Sequence, residues 1–299
     1  MWGDRAPAAQ RPGAAIGAGL VNAMSVDVED YFQVHAFGRS IRREDWESWP
    51  RRVEGNTERL LDLFAAAGIS ATFFTLGWVG KRHPALVRRI VAEGHELASH
   101  GLDHVRVDRQ TPAGFRAEIA CAKAILEEAG GVAVQGYRAP GFSITNATPW
   151  AFDCLAEAGY RYSSSVDPAR GGAGLFEESG ALLHRLPNGL IELPVTSLPI
   201  AGRKLPCGGG FFRLLPYAMT QRGIRQVNAA RQTPAIFYIH PWEIDPDQPR
   251  VAAPLTARLR HYTNLRSTEQ KLGALLGDFA WGRIDRLAFA ATEEGRRAA

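Results

Sequence analysis

The strongest constraint on the fold of this chain is a regular alternation of short apolar runs with segments of helical periodicity. Each predicted helix is followed by one or two glycines and then by another apolar run. The predicted strands are 20–28, 71–76, 96–100, 135–138, 162–166 and 235–239, and the predicted helices are 56–67, 84–93, 111–128 and 148–158. This order predicts parallel strands joined by helical crossovers, in a barrel or in an open doubly wound sheet.

Composition and charge exclude several other classes of protein. The chain has 299 residues, 45% of them hydrophobic, which is enough to bury a core and excludes a disordered chain. The net charge of +4 is not gathered on one segment, so we expect no nucleic-acid partner. The three cysteines, Cys121, Cys154 and Cys207, have no C-x-x-C spacing, which indicates a reducing compartment without a disulfide framework.

The two ends of the chain differ from its middle. Residues 1–20 are rich in Ala, Gly and Pro and are predicted to be disordered, with Met24 as an alternative start to Met1. They do not resemble a secretory signal, and the chain has no apolar run of transmembrane length, so we expect a cytoplasmic protein, with the inner membrane surface as an alternative location. We predict a catalytic domain at 21–250 and a C-terminal extension at 251–299, because 255–287 has a helical, basic and amphipathic pattern.

Residues able to do chemistry follow four of the predicted strands. Asp27, His100, Arg138 and His240 each stand at the end of an apolar run, and the carboxyl ends of parallel strands meet at one edge of a sheet. His100 and His104 have a spacing that, in a helical turn, points both imidazoles to one side. Two histidines and a carboxylate can hold a metal while leaving positions for water and substrate.

Each of these residues also has a plainer interpretation. The histidine pair alone could be solvated or buried in the core, and Asp27 could be a helix cap or a salt-bridge partner. Arg138 could pair with a surface acid instead of orienting a base, and His240 could be structural instead of a general acid. The run Cys207–Gly210 lacks the frame of a phosphate-binding loop, so it favours a backbone turn near substrate over a nucleotide site.

Taken together, the motifs resemble a known family. They are Ser25-Val26-Asp27-Val28-Glu29-Asp30-Tyr31, Ser99-His100 with His104, Arg138-Ala139-Pro140-Gly141-Phe142, His240-Pro241-Trp242-Glu243, and the glycine-rich run from Gly208 to Pro216. Over about 270 residues the chain resembles the polysaccharide deacetylases of carbohydrate esterase family 4, the nodulation-type deacetylase domain. Within that family it is similar to the exosortase-associated subgroup, which has a C-terminal extension of its own.

The resemblance implies a fold and a set of roles. The fold would be α/β, a distorted (β/α) barrel of about seven parallel strands with a C-terminal helical extension. One divalent metal ion, Zn²⁺ or alternatively Co²⁺ or Ni²⁺, would be held by His100 and His104. Glu29 or Asp30 would supply the carboxylate, with a slight preference for Asp30, since a strand that ends at a site need not keep its alternation. The other implied roles are a base (Asp27), an acid (His240), a residue that steadies the base (Arg138) and substrate contacts (Pro140, Gly141, Phe142 and Trp242).

The function implied by the resemblance is removal of N-acetyl groups from an amino-sugar polysaccharide, or from its lipid-linked precursor, in exopolysaccharide biosynthesis. Two alternatives stay open: an amidohydrolase acting on a small cyclic amide, and a carbohydrate-binding protein with impaired catalysis. The second is suggested by Tyr162-Ser163-Ser164-Ser165, where the family pattern has an acid in place of Ser163. The oligomeric state is not predicted.

Overall fold

The computed structural model describes residues 20–169, 182–200 and 202–297. The strands are β1 (Asn22–Val28), β2 (Thr72–Thr75), β3 (Glu96–Ser99), β4 (Gly136–Tyr137), β5 (Tyr162–Ser163), β6 (His184–Arg185), β7 (Ile191–Glu192), β8 (Ser197–Ile200), β9 (Arg203–Pro206), β10 (Ile236–Ile239) and β11 (Trp281–Gly282). The α-helices are α1 (Val53–Ala67), α2 (Gly77–Arg82), α3 (Pro84–Ala92), α4 (Pro112–Gly130), α5 (Trp150–Glu157), α6 (Gly209–Leu214), α7 (Tyr217–Arg231), α8 (Leu255–Tyr262), α9 (Leu265–Asp278) and α10 (Ile284–Arg297).

Nine of these strands form one long, mainly parallel sheet, and β8 and β9 form a separate antiparallel pair. The order of the long sheet is β10-β1-β2-β3-β4-β5-β7-β6, in which β6 alone runs antiparallel to its neighbour and β11 adds a parallel pair beside the start of β1. A path of seven parallel strands with two edges is an incompletely closed barrel. The predicted α/β class and distorted barrel are therefore confirmed.

The register of the sheet aligns the carboxyl ends of its strands. Val28 pairs with Thr75, Thr75 with Ser99, and Ser99 with Tyr137. Residues that follow these strands, such as Glu29, His100 and Arg138, therefore leave the sheet at one level. The residues of the predicted site are therefore brought together by the strand register, although they are far apart in the sequence.

Amphipathic helices cover the outside of the sheet. On α1 the buried side chains include Leu60, Leu61 and Phe64, and the helix ends at Gly68 in the left-handed conformation, with φ of 66°. On α4, Thr111 caps the first turn by accepting a hydrogen bond from the Gly114 N–H, and Pro112 occupies the first helical position. Burial of each such leucine or phenylalanine contributes about 1.5–3 kcal/mol relative to exposure, so the helices are held by packing against the sheet.

The predicted helical tail is confirmed as α8, α9 and α10, and it packs into the main core. Leu272 and Leu275 of α9 belong to the same buried cluster as Met24 and Val26 of β1. The division at residue 251 stays a prediction, as does disorder of 1–20, a segment outside the described residues apart from Leu20. Among the described residues, no helix combines the length and apolarity needed to cross a bilayer.

Candidate active site and metal centre

Three side chains at the carboxyl edge of the sheet are grouped as metal ligands would be. Glu29 follows β1, and His100 and His104 follow β3; all three are buried. One carboxylate oxygen and one nitrogen from each imidazole lie within 4.8 Å of one another. This is the two-histidine, one-carboxylate set that zinc-type ions take in catalytic sites.

Backbone carbonyls orient both imidazoles. The Nδ1 of His100 lies 2.9 Å from the carbonyl oxygen of Arg138, and the Nδ1 of His104 lies 2.8 Å from that of Gln33. Because a carbonyl only accepts hydrogen bonds, each Nδ1 carries the proton and each Nε2 keeps its lone pair for a ligand. Burial lowers the pKa of His100 to about 4, so this ring is neutral at neutral pH.

The contact between His104 and Glu29 fits a cation. With its proton on Nδ1, His104 turns the lone pair of Nε2 toward the Glu29 Oε2 at 2.7 Å. Burial raises the pKa of Glu29, but positive charge and a hydrogen bond at the neighbouring imidazoles, whose protons a bound cation would replace, outweigh burial and hold that pKa well below its ordinary value. Two electron-pair donors at this distance repel unless a positive charge lies between or beside them, so these residues fit a divalent ion.

Asp30 does not belong to this group, and the slight preference for it as the metal carboxylate is not supported by the geometry. Its Oδ1 accepts a hydrogen bond from the Tyr31 N–H, and its Oδ2 accepts from the N–H groups of Arg52 and Val53. Asp30 caps the 3-10 turn Tyr31–Gln33 and ties it to the start of α1. Glu29 keeps the alternation of β1 and is the acid that faces His104.

The loop between the two histidines is not helical, contrary to the expectation that a helical turn would align the rings. Gly101 has φ of 80° and His104 has φ of 55°, both left-handed. The carbonyls of Gly101 and Leu102 accept hydrogen bonds from the N–H groups of Gly77 and Trp78, at 2.8 and 2.9 Å. A left-handed non-glycine residue is uncommon and is kept only where surrounding contacts hold it, as they do here.

Asp27 and Arg138 form a fully buried ion pair beside the metal ligands. The Arg138 Nη1 lies 2.7 Å from the Asp27 Oδ1 and also donates to the Ser25 Oγ at 2.8 Å. The Arg138 Nε and Nη2 donate to the carbonyl and hydroxyl oxygens of Ser164, each at 3.0 Å. Every nitrogen of the guanidinium has a partner, so Arg138 holds one oxygen of Asp27 in a fixed place.

His240 follows β10 and is the end of a chain of buried charges. Its Nδ1 lies 2.6 Å from the Glu243 Oε1, and the other oxygen of Glu243 lies 3.1 Å from the Arg213 Nε. Burial lowers the pKa of His240, but the hydrogen bond and charge of Glu243 outweigh it and raise that pKa to about 9. The His240 Nε2 lies 3.9 Å from the Asp27 Oδ2 and 3.7 Å from the Glu29 Oε1.

Trp242 connects these two groups. Its indole N–H donates to the Glu29 Oε1 at 3.1 Å, and its ring stacks on His240 and on His261, with centroid distances of 5.2 and 4.2 Å. Trp242 lines the cavity, as a substrate contact should, but its ring is already packed between protein groups. Its clearest effect is to fix the positions of Glu29 and His240 relative to each other.

A buried acid, Glu192, lies beside Ser163, the position where the family pattern has an acid. Ser163 on β5 is paired in register with Glu192 on β7, whose side chain is fully buried. The Glu192 Oε1 accepts hydrogen bonds from the N–H groups of Ser165 and Val166, each at 2.9 Å. Burial raises the pKa of Glu192 to about 7. Sequence reasoning missed this acid because it lies 29 residues away along the chain and is adjacent only through strand pairing.

The grouped residues open into a cavity of about 400 Å³. Of the predicted substrate contacts, Gly141, Phe142 and Trp242 line it, whereas Pro140 is buried beside it and is not among the lining residues. Gly210, from the run predicted to turn near substrate, also lines the cavity. Residues that the sequence did not suggest line it as well: Val34, His35, Ala36, Arg106, Arg213, Tyr238, Arg260 and His261. The glycine run therefore reaches the cavity through Gly210. Gly208 packs closely against Tyr238: an added Cβ would lie 2.1 Å from the Tyr238 carbonyl oxygen.

Two family models match the chain. Residues 46–163 match the family described as Polysaccharide deacetylase, and residues 164–288 match a domain of unknown function, DUF3473. His100, His104 and Arg138 fall within the first match and His240 within the second. Asp27 and Glu29 precede both matches, so the site draws on more of the chain than either family model covers.

Curated relatives are similar over parts of the chain. A chitooligosaccharide deacetylase of Bradyrhizobium sp. is 37% identical over 73 residues, which are 24% of this chain and 33% of that protein. A peptidoglycan-N-acetylglucosamine deacetylase of Bacillus cereus is 27% identical over 172 residues, 54% of this chain and 62% of that protein. The chain therefore spans less than two thirds of the length of these relatives.

A solved structure is similar over nearly the whole chain. It is a protein from Mycobacterium smegmatis, provisionally described as a polysaccharide deacetylase, and it is 20% identical with a TM-score of 0.58. The similarity covers 95% of this chain and 96% of that one. At this level of identity the similarity supports the fold alone.

Proposed function

We propose that this chain removes N-acetyl groups from an amino-sugar polysaccharide or its lipid-linked precursor, because residues 46–163 match the Polysaccharide deacetylase family. The observation that carries the proposal is the arrangement within one cavity: Glu29, His100 and His104 grouped as ligands, with Asp27 and His240 beside them. Exopolysaccharide biosynthesis is the proposed setting, and Zn²⁺ the proposed ion, with Co²⁺ or Ni²⁺ as alternatives.

The hydrolysis needs an activated water, a polarised amide carbonyl and a proton for the departing amine. When bound at these three ligands, a divalent ion supplies Lewis acidity toward the carbonyl and the water. Asp27 is the proposed base. Arg138 occupies its Oδ1, so the Oδ2, which lies on the side of His240, is free to take the proton of the attacking water.

His240 is the proposed proton donor to the amine. The charge of Glu243 keeps the imidazole protonated at neutral pH, and the hydrogen bond at Nδ1 directs the other proton, on Nε2, toward Asp27 and Glu29 at the cavity floor. An acid and a base on either side of the scissile bond are what amide hydrolysis requires. Phe142 and Tyr238, which also line the cavity, offer ring surfaces that suit the C–H faces of a sugar.

The proposal is tested by acetate release from N-acetylated chitooligosaccharides, with metal content measured on the same samples. We expect metal-dependent acetate release that a chelator abolishes and that Zn²⁺ or Co²⁺ restores. The variant His100→Ala should lose both metal and activity, while Asp27→Asn should keep the metal and lose activity by a factor of about 100 or more. His184→Ala, a histidine on edge strand β6 outside the cavity, is the matched control and should behave as the wild type.

Other outcomes separate the alternatives. Turnover of small cyclic amides without acetate release from any N-acetylated glycan would indicate an amidohydrolase. Glycan binding with a full complement of metal but no acetate would indicate a binding protein. Glu192 argues against a binding protein without catalysis, because it places a buried acid next to Ser163, where the family's own acid is missing.

A further inference from the structure

One surface beside the cavity is basic. From Gln248 to Thr268 the sequence contains no aspartate or glutamate and four arginines: Arg250, Arg258, Arg260 and Arg266. All four are exposed, and none forms an ion pair within the part of the chain that the structure describes. Some other exposed arginines, such as Arg42 and Arg116, do have carboxylate partners. This segment is therefore a local excess of positive charge.

The same surface carries the two most exposed large apolar side chains among the described residues. Leu255 is 66% exposed and Leu259 is 58% exposed, and they lie one turn apart on α8. Arg250, Arg258 and Tyr262 line a shallow depression together with the two leucines. A leucine pair with flanking arginines is an amphipathic, basic helix face that no other described residue covers.

The opposite face of α8 is fixed to the active site. His261 is buried, stacks on Trp242 and lies 2.7 Å from the Gln248 Oε1 through its Nε2. Arg213 donates to the carbonyls of Arg260 and Thr263 at 2.8 and 2.7 Å. Arg260 and His261 also line the active-site cavity. The exposed face of α8 is thus held rigidly at the rim of that cavity.

We propose that α8 and the segment before it, residues 248–262, form a docking surface for a bilayer that contains anionic lipids. Arginines near an anionic membrane are attracted to it, and the leucine pair gains free energy by entering the boundary between headgroups and acyl chains. A soluble acidic glycan would satisfy the arginines but offers no apolar phase for the leucines. A second copy of this chain would bring like charges together. Of these three partners, the lipid surface suits both features, and docking would hold the cavity mouth at the membrane.

The test is sedimentation of the full chain with phosphatidylcholine vesicles, with and without phosphatidylglycerol. We expect binding only to the anionic vesicles, and its loss at high salt. Two double variants, Leu255→Ser with Leu259→Ser and Arg250→Gln with Arg258→Gln, should each weaken binding at least about tenfold. The matched controls are Val132→Ser, an exposed apolar residue elsewhere, and Arg39→Gln with Arg88→Gln, which removes the same charge from other exposed positions.

Several results would overturn the proposal. They are no binding of the wild type to anionic vesicles, equal loss in the controls, or unchanged binding in both α8 variants. Self-association by light scattering that the leucine variant abolishes, without vesicle binding, would assign the surface to a second copy. Binding of a soluble polyuronate without vesicle binding would assign it to an acidic glycan. Since none of these measurements uses acetate release, failure here is separate from failure of the deacetylase proposal.

Discussion

The carboxylate of Glu118, on α4, accepts a hydrogen bond from the backbone N–H of Leu102, inside the loop that carries His100 and His104, the two proposed metal ligands. A Cβ added to Gly101 would lie only 2.8 Å from the Glu118 Oε1, so a side chain at position 101 would crowd this carboxylate. His104 needs a left-handed backbone, and Glu118 is one of the contacts that keep the loop in that shape.

Glu118→Ala is expected to weaken metal binding by about 10- to 100-fold, because groups that orient metal ligands commonly contribute that much. Glu118→Gln should recover most of the affinity, since an amide oxygen still accepts from the Leu102 N–H. Calorimetric titration with Zn²⁺ or Co²⁺ measures both. Glu127→Ala is the control on the same helix, where the side chain accepts from the Val134 N–H at 2.9 Å. Equal losses in the two alanine variants would contradict a positioning role for Glu118.

Substituting each of the two candidate carboxylates separately shows which one binds the metal and which one caps the 3-10 turn. Glu29→Gln should lower metal affinity by more than about 100-fold, because it removes a ligand directly. Asp30→Asn should leave metal affinity nearly unchanged but destabilise the fold by about 1–3 kcal/mol, because the three N–H groups that Asp30 accepts from lose a charged acceptor. Metal titration and denaturant unfolding measure the two effects. The reverse pattern would restore Asp30 as the ligand.

Removal of the charge behind His240 should act on turnover and not on binding. In Glu243→Gln an oxygen can still accept from the His240 Nδ1, but the charge that keeps the imidazole protonated is lost. We expect kcat to fall at least about tenfold, with KM and metal content close to those of the wild type. Glu157→Gln, an exposed acid paired with Arg116, is the matched control. A change in KM alone would place Glu243 in substrate binding instead.

Glu192 should make stability depend on pH. Its pKa is about 7 in the folded chain and near 4.5 without burial, so the folded state binds a proton more tightly than the unfolded state between those values. Stability from this group is fully present below about pH 4.5 and is lost as pH rises through about 7. Glu192→Gln cannot titrate, so its stability relative to wild type should rise across that window by up to about 3 kcal/mol.

Chemical unfolding of both proteins at several pH values measures this difference. Other buried acids titrate in the same range in both proteins, so the difference between the two curves isolates Glu192. Glu128→Gln, at an exposed position on α4, should show no such dependence. A flat difference curve for Glu192→Gln would mean that the carboxylate is ionised in the folded chain throughout.

The sequence alone was sufficient to predict the class of fold and the edge where the site lies. Hydrophobic periodicity and glycine stops are local signals, so the alternation of strands and helices is readable without any knowledge of contacts. Once the strands are taken as parallel, residues that follow them must meet at one edge. Asp27, His100, Arg138 and His240 do meet there.

Only the tertiary structure decided which neighbours those residues have. Glu29 and Asp30 are adjacent acids, and the choice between them depends on N–H groups of Arg52 and Val53, more than 20 residues away. Glu192 reaches Ser163 through strand pairing, and α8 reaches Trp242 through the packing of the C-terminal helices. These contacts depend on register and packing between distant segments, and periodicity along the chain contains no information about either.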